Sequence, residues 1–238
     1  MWTVCKKEWN QFFSSLTGYI AIILFMLVNG LVLFVLPNNI LDFGYASLES
    51  FFELAPWVLL FLIPAISMRS LSDEFRTGTF EILQTRPVSA WGMVTGKYLA
   101  ILLILSMVLL PSLIYVYTVS VLSISGIDSG GMAGSFVGLA FLGAVFAAIS
   151  LCCSSLTRNA VVAFLISIFA CVILYFGFGS LSKLELFSGN ADLYLEMTGI
   201  DFHYRSISRG VIDTRDLVYF GSVMLFFLFI TQLNLKKR

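Results

Sequence analysis

The sequence predicts an all-α polytopic membrane protein, six transmembrane helices with both termini cytoplasmic, forming a single transmembrane domain over 1–238. Three observations carry that expectation. The chain of 238 residues is 59% hydrophobic and only 12% charged, with a mean hydropathy of +0.95. Soluble domains run about 45–50% apolar and about 25% charged, so these charges are too few to cover a water-facing surface. Six runs, at about 16–36, 51–68, 98–122, 133–155, 159–179 and 217–235, are long and apolar enough to cross a hydrocarbon core, which takes about 20 residues of helix. Finally, Lys and Arg gather on one side of those runs, as they do on the cytoplasmic side of membrane proteins.

Each run supports the helical reading. Open backbone cannot face lipid unpaired, so a long apolar stretch spans as a helix. A β-barrel would show segments of about 10 residues with alternating polarity, and nothing here alternates. Four runs, 16–36, 98–122, 133–155 and 159–179, carry no charge, and 51–68 carries Glu53 alone. The first run is too long for a signal-peptide core of 7–15 residues and lacks a small-residue cleavage site, so it reads as a retained anchor. Sidedness follows from the loops. Lys6, Lys7, Arg69, Arg76, Arg86, Lys97, Arg158, Lys236, Lys237 and Arg238 fall on one side, with only Glu8, Asp73, Glu74 and Glu81 against them. The other side holds four basic and ten acidic residues, so +6 inside balances −6 outside. The formal net charge of zero hides a polarised molecule, and it excludes the basic footprint of a nucleic-acid binder.

The first fifteen residues place Trp2, Cys5, Trp9, Phe12 and Phe13 at helical spacing, with Lys6, Lys7, Asn10 and Gln11 between them. That pattern suits a helix lying in the membrane interface, aromatic side down. The plain alternative is a frayed lead-in to the first span.

The segment 69–97 is the one sizeable polar stretch on the cytoplasmic side. Ser70 followed by Asp73 has the form of a capping box, so a helix is expected to start there and to break at Gly78. Thr79 can cap a short helix holding Glu81 and Leu83, which Pro87 stops. Ser89 caps the helix that runs into the third span. A short, capped helix of mixed charge suits docking in the cleft of a cytoplasmic partner; a solvated connector is the other reading.

On the outer side, Gly199 and Gly210 punctuate a stretch where aromatic residues mix with Arg205 and Arg209, as in a short helix or re-entrant turn. Asp213 and Asp216 are candidate caps for the helix entering the last span. His203 stands alone as the chain's one histidine and reads as a surface or interface residue rather than a metal ligand. Small residues recur along the fourth span, with Gly134, Gly138 and Ala147 on a stripe that suits close packing or a lining of the route. The four cysteines avoid the outer loops, which excludes a disulfide framework there. No phosphate-binding loop is present, since the 92–98 stretch is one residue short of the spacing and has Tyr98 at the Ser/Thr position. No metalloprotease or nucleophile-elbow motif occurs, and no acidic pair lies within a span. Charge inside spans usually marks an ion or proton path; its scarcity argues against an ion-coupled carrier, so any driving energy comes from a partner.

The stretch Glu74 to Ser89 (EFRTGTFEILQTRPVS), followed by Gly96 and Lys97, resembles the cytoplasmic loop of ABC-2 type permeases, the six-span membrane subunits of ABC exporters. Span count, termini, the interfacial helix and the long last outer loop are similar as well. The stretch Phe202 to Phe220 is similar to gliding-motility permeases of the Gld system and to those of nitrous-oxide-reductase maturation. The resemblance implies a coupling role for Glu74, Arg76, Gly78, Thr79, Glu81 and Pro87, an interfacial helix anchored by Trp2, Trp9 and Phe12, and an outer gate or lid at Phe202, Arg205, Arg209, Asp213 and Asp216. It implies no catalytic residue and no cofactor bound by this chain. ATP and Mg would sit on a separate cytoplasmic ATP-binding subunit in a bacterial inner membrane, and a second permease subunit, identical or a sister protein, would complete the pathway. The expected function is ATP-driven export of a lipidic, amphipathic or polymeric cargo, linked to gliding motility or another envelope process. A non-transporting membrane scaffold of a motility or assembly complex is the competing expectation.

Overall fold

The computed structural model describes residues 1–36, 48–84, 89–123, 128–182, 190–210 and 213–237, and the fold is all-α, with no strand among them. Helix α1 (Trp2–Phe13) is followed at once by α2 (Leu16–Phe34), and the axis turns by 69° between them. Helix α3 (Glu49–Ser67) runs through Met68 into α4 (Arg69–Thr77), which ends at Gly78 before the short α5 (Thr79–Gln84). Helix α6 (Ala90–Leu109) passes a 3₁₀ turn at Leu110–Ser112 into α7 (Leu113–Leu122). Then come α8 (Ser129–Leu156) and α9 (Ala160–Val172), with a π turn at Ile173–Gly177 leading to α10 (Phe178–Ser182). Helices α11 (Asn190–Met197), α12 (Ile200–Ile207) and α13 (Thr214–Lys236) complete the chain.

Among the described residues five helices are long and apolar enough to cross a membrane, and the count is six if the bent pair α1–α2 is one span. Their outward faces carry Ile23 and Leu27 on α2, Leu165 and Phe169 on α9, and Leu225 and Phe229 on α13, all exposed. So much apolar surface suits lipid rather than water. This is a multi-pass membrane protein.

Helix α8 occupies the centre, touching α3, α4, α6, α9, α12 and α13, and its stretch from Leu142 to Ser155 is buried throughout. Its composition explains the position. Hydrocarbon gives no hydrophobic drive between helices, so close approach of backbones through small residues does the work. Gly143 lies under Leu105 of α6, while Ala147 and Ala148 are fully buried. Asp128 caps α8 by accepting from Gly131 N at 3.0 Å, and Asn159 caps α9 by accepting from Val161 N at 2.9 Å. Ser89 accepts from Gly92 N at 3.1 Å, the expected cap of the third span.

One expected start does not exist. No capping box forms at Ser70, because α4 continues from α3 with Met68 itself helical, and the Ser70 hydroxyl has no hydrogen-bond partner. The support comes instead from Ser154, near the end of α8. Its Oγ accepts from the amides of Leu71 and Ser72, both at 3.2 Å, and donates to Met68 O at 3.0 Å. A hydroxyl from a distant helix has taken the place of a local cap. Gly78 does break the helix, at φ +72°, as its position suggested.

Candidate functional site

Two regions, at opposite ends of the bundle, hold most of the residues singled out from the sequence. At the α1 end, Gly96 lets α1 lie close on α6: a Cβ there would fall 2.7 Å from Met1 O and 3.1 Å from Val4 Cβ. Val4 and Cys5 fill that contact and are buried. The next residue, Lys97, is fully buried. Its ammonium has three donors, and the structure gives them Ser70 O at 2.6 Å, Glu8 Oε1 at 2.7 Å and Glu74 Oε1 at 2.9 Å. Lys7 adds a second cation, 3.0 Å from the same Glu74 oxygen. Two lysines and two carboxylates thus form a balanced clamp that joins α1, α4 and α6. Neutralising charge inside a low-dielectric site is the condition under which buried ions persist.

This corrects two readings. Lys97 counts as a loop cation in the sequence, yet it lies inside the capped helix that leads to the third span. Glu74 sits in the segment read as docking surface, yet it is only 7% exposed and turns its charge inward. The tip of the α4–α5 elbow is what faces outward. Arg76, Thr77, Gly78, Thr79 and Glu81 are exposed there, while Phe75 and Phe80 meet beneath them with ring centroids 4.9 Å apart. Pro87 lies outside the described residues. Of the α1 residues, Trp2 is exposed, while Trp9 and Phe12 are half-buried around Phe13. The side turned onto the protein is therefore Val4, Cys5 and Glu8 rather than the whole aromatic stripe.

At the opposite end, α12 is pinned from four sides. Tyr204 donates to Phe52 O of α3 at 2.7 Å, and burial followed by the negative charge of Asp201 raises its phenol well above the ordinary range. It is a neutral donor. Ser135 of α8 donates to Ser208 O at 2.7 Å. Just beyond, Gly210 adopts φ +84° and packs on α8 so closely that a Cβ there would lie 2.4 Å from Gly131 Cα. Gly134 faces Gly210 and Gly138 faces Ile207, so this stretch of the small-residue stripe meets α12. His203 of α12 reaches α13: its Nδ1 lies 2.6 Å from Asp216 Oδ1 and its ring stacks on Tyr219 at 3.9 Å, while its Nε2 lies 2.9 Å from Met197 O. A carbonyl can only accept, so Nε2 is the donor to Met197 O. The Tyr175 ring of the π turn lies 6.5 Å from that of Tyr204.

Two sequence expectations change here. Asp213 caps α13, accepting from Arg215 N at 2.9 Å, but Asp216 is buried and holds His203 instead of capping. His203 is accordingly an internal strut. Phe202 meets His203 edge-on at 5.5 Å, Arg205 pairs with Asp201 at 2.7 Å, and Arg209 is exposed. Between α12 and the helix ends lies a cavity of about 870 Å³, walled by Glu49, Glu53, Trp57, Tyr175, Arg205 and Arg209 among others. No group of His, Cys, Asp and Glu among the described residues is placed to hold a metal.

Residues 2–230 match the family described as ABC-2 family transporter protein. No curated protein matches the chain.

Proposed function

The chain belongs to the ABC-2 family of transporter proteins, of which it is a membrane permease component, and we propose that it couples its helices to a separate cytoplasmic ATP-binding subunit through the α4–α5 elbow. One observation carries this reading. Helix α4 is the unbroken continuation of a spanning helix, and it ends in an exposed polar tip at Arg76, Gly78, Thr79 and Glu81. Motion imposed on such a tip is passed to α3 without a flexible joint, and through the Lys97 clamp to α1 and α6. ATP and Mg belong to the partner, whose hydrolysis shifts the permease between conformations through its differential grip on them. In this reading the clamped end is cytoplasmic, as the loop charges favour, and the protein resides in a bacterial inner membrane. A second permease subunit, a copy or a sister protein, completes the pathway. Helix α12 forms the outer lid, with Phe202, Arg205 and Arg209 on its free side, Asp213 capping the last span and Asp216 tying the lid to that span through His203.

The cargo in this proposal is lipidic, amphipathic or polymeric, because the mid-membrane stretches of the helices are apolar. The likeness of 202–220 to gliding-motility permeases supports a role in surface motility or a related envelope process. Reconstitution with the ATP-binding subunit in proteoliposomes tests this. ATP hydrolysis that rises with an added amphiphile supports transport, whereas an ATPase that binds but ignores every cargo leaves a non-transporting scaffold as the better account.

A further inference from the structure

A second cavity lies beside the Lys97 clamp, between α2, α3 and α6, with a volume of about 380 Å³. That is within the range of small-molecule sites, about 300–1,000 Å³. Its walls are segregated. Leu24, Ile66 and Ile101 line the end towards the bundle middle, and Glu8, Arg69 and Ser70 line the end at the α1–α4 level. Arg69 is exposed and makes no ion pair among the described residues, whereas Glu8 is already held by Lys97. Ser70 is nine-tenths buried and its hydroxyl has no hydrogen-bond partner. The free charge at the polar end is therefore positive. An apolar slot crowned by an unpaired guanidinium at interface depth matches one chemistry, an acyl chain ending in an anionic head.

We propose that this cavity binds an anionic phospholipid from the leaflet in which α1 lies, its acyl chain against Leu24, Ile66 and Ile101 and its phosphate on Arg69. The proposal needs the membrane placement of the chain but no ATPase partner. Glu8 and the Ser70 carbonyl both bind Lys97, so the occupant rests directly on the clamp.

The test is native mass spectrometry of the delipidated full-length chain titrated with phosphatidylglycerol or phosphatidylcholine. Phosphatidylglycerol is expected to be retained in preference, with Arg69→Gln weakening it about tenfold, the size of one lost charge-assisted hydrogen bond, and leaving phosphatidylcholine unchanged. Ala65→Trp, at an exposed position on the cavity wall, is expected to abolish retention of both lipids while the circular dichroism stays that of the parent. Inorganic phosphate alone should leave the melting temperature where it was. Equal retention of the two lipids, unchanged phosphatidylglycerol affinity in Arg69→Gln, retention surviving Ala65→Trp, or stabilisation by free phosphate equal to that by lipid would each overturn the assignment.

Discussion

Glu74 Oε1 lies 2.9 Å from the ammonium of Lys97, twenty-three positions further along the chain and fully buried. This pair ties the helix that leaves the second span to the helix that enters the third. Glu8 brings α1 to the same nitrogen, so three separately formed helices converge on one point charge.

Lys97→Met is expected to destabilise the protein by about 3–5 kcal/mol, because it leaves Glu8 without its cation and Glu74 with the half-exposed Lys7 alone. Thermal unfolding in detergent measures the loss. The triple variant carrying Glu8→Gln and Glu74→Gln as well should recover most of it, since the one charge left without a partner is then Lys7, which is solvent-exposed. A single variant as stable as the parent would show that the clamp carries no net energy.

Ser154→Ala removes the hydroxyl that reaches the backbone at Met68, Leu71 and Ser72. The expected cost is about 1–2 kcal/mol, as for loss of a helix cap. Faster hydrogen exchange at the Leu71 and Ser72 amides, with the rest of α8 unchanged, is the predicted local signature.

Among the described residues, the two glycines with positive φ, Gly78 and Gly210, should respond differently to alanine. At Gly78 nothing lies within 4 Å of an added Cβ, so Gly78→Ala pays only the left-handed backbone term of about 1 kcal/mol. At Gly210 the added Cβ would meet Gly131 backbone at 2.4 Å, and overpacking of about 1–3 kcal/mol adds to the same term. Melting temperatures of the two variants in one detergent settle the order.

His203→Phe keeps a ring against Tyr219 but removes both hydrogen bonds and leaves Asp216 buried without its partner. A loss of about 1–3 kcal/mol is expected. In a double-mutant cycle with Asp216→Asn, the two effects should fall short of adding, as they do for residues in contact.

Much of the architecture was legible in the sequence. Long charge-free runs announce spans because lipid leaves the backbone no other choice, and Ser89, Asp213 and Gly78 act locally, so their roles can be read from their neighbours. What escaped was everything decided by a distant partner. Ser70 has the local form of a cap, yet Ser154, more than eighty positions away, supplies the contact. Asp216 has the local form of a cap too, but His203 claims it. Lys97 could have been suspected, because a helix capped at Ser89 carries it well inside its second turn, where a lone cation needs a counter-charge. Nothing local to Glu8 or Glu74 says that they provide it. The exposed tip at Arg76, Gly78, Thr79 and Glu81 was placed by the break at Gly78, a local signal, whereas the inward turn of Glu74 depends on a helix formed later in the chain.

The central claim is that the exposed elbow tip, and not the buried Glu74, meets the ATP-binding subunit. Co-purification of that subunit with Arg76→Glu combined with Glu81→Lys tests it most directly, since both side chains are exposed and neither reaches the Lys97 clamp. The account predicts that the ATP-binding subunit is lost from the complex while the permease still inserts and melts like the parent. Recovery of the ATP-binding subunit at parental yield would contradict it.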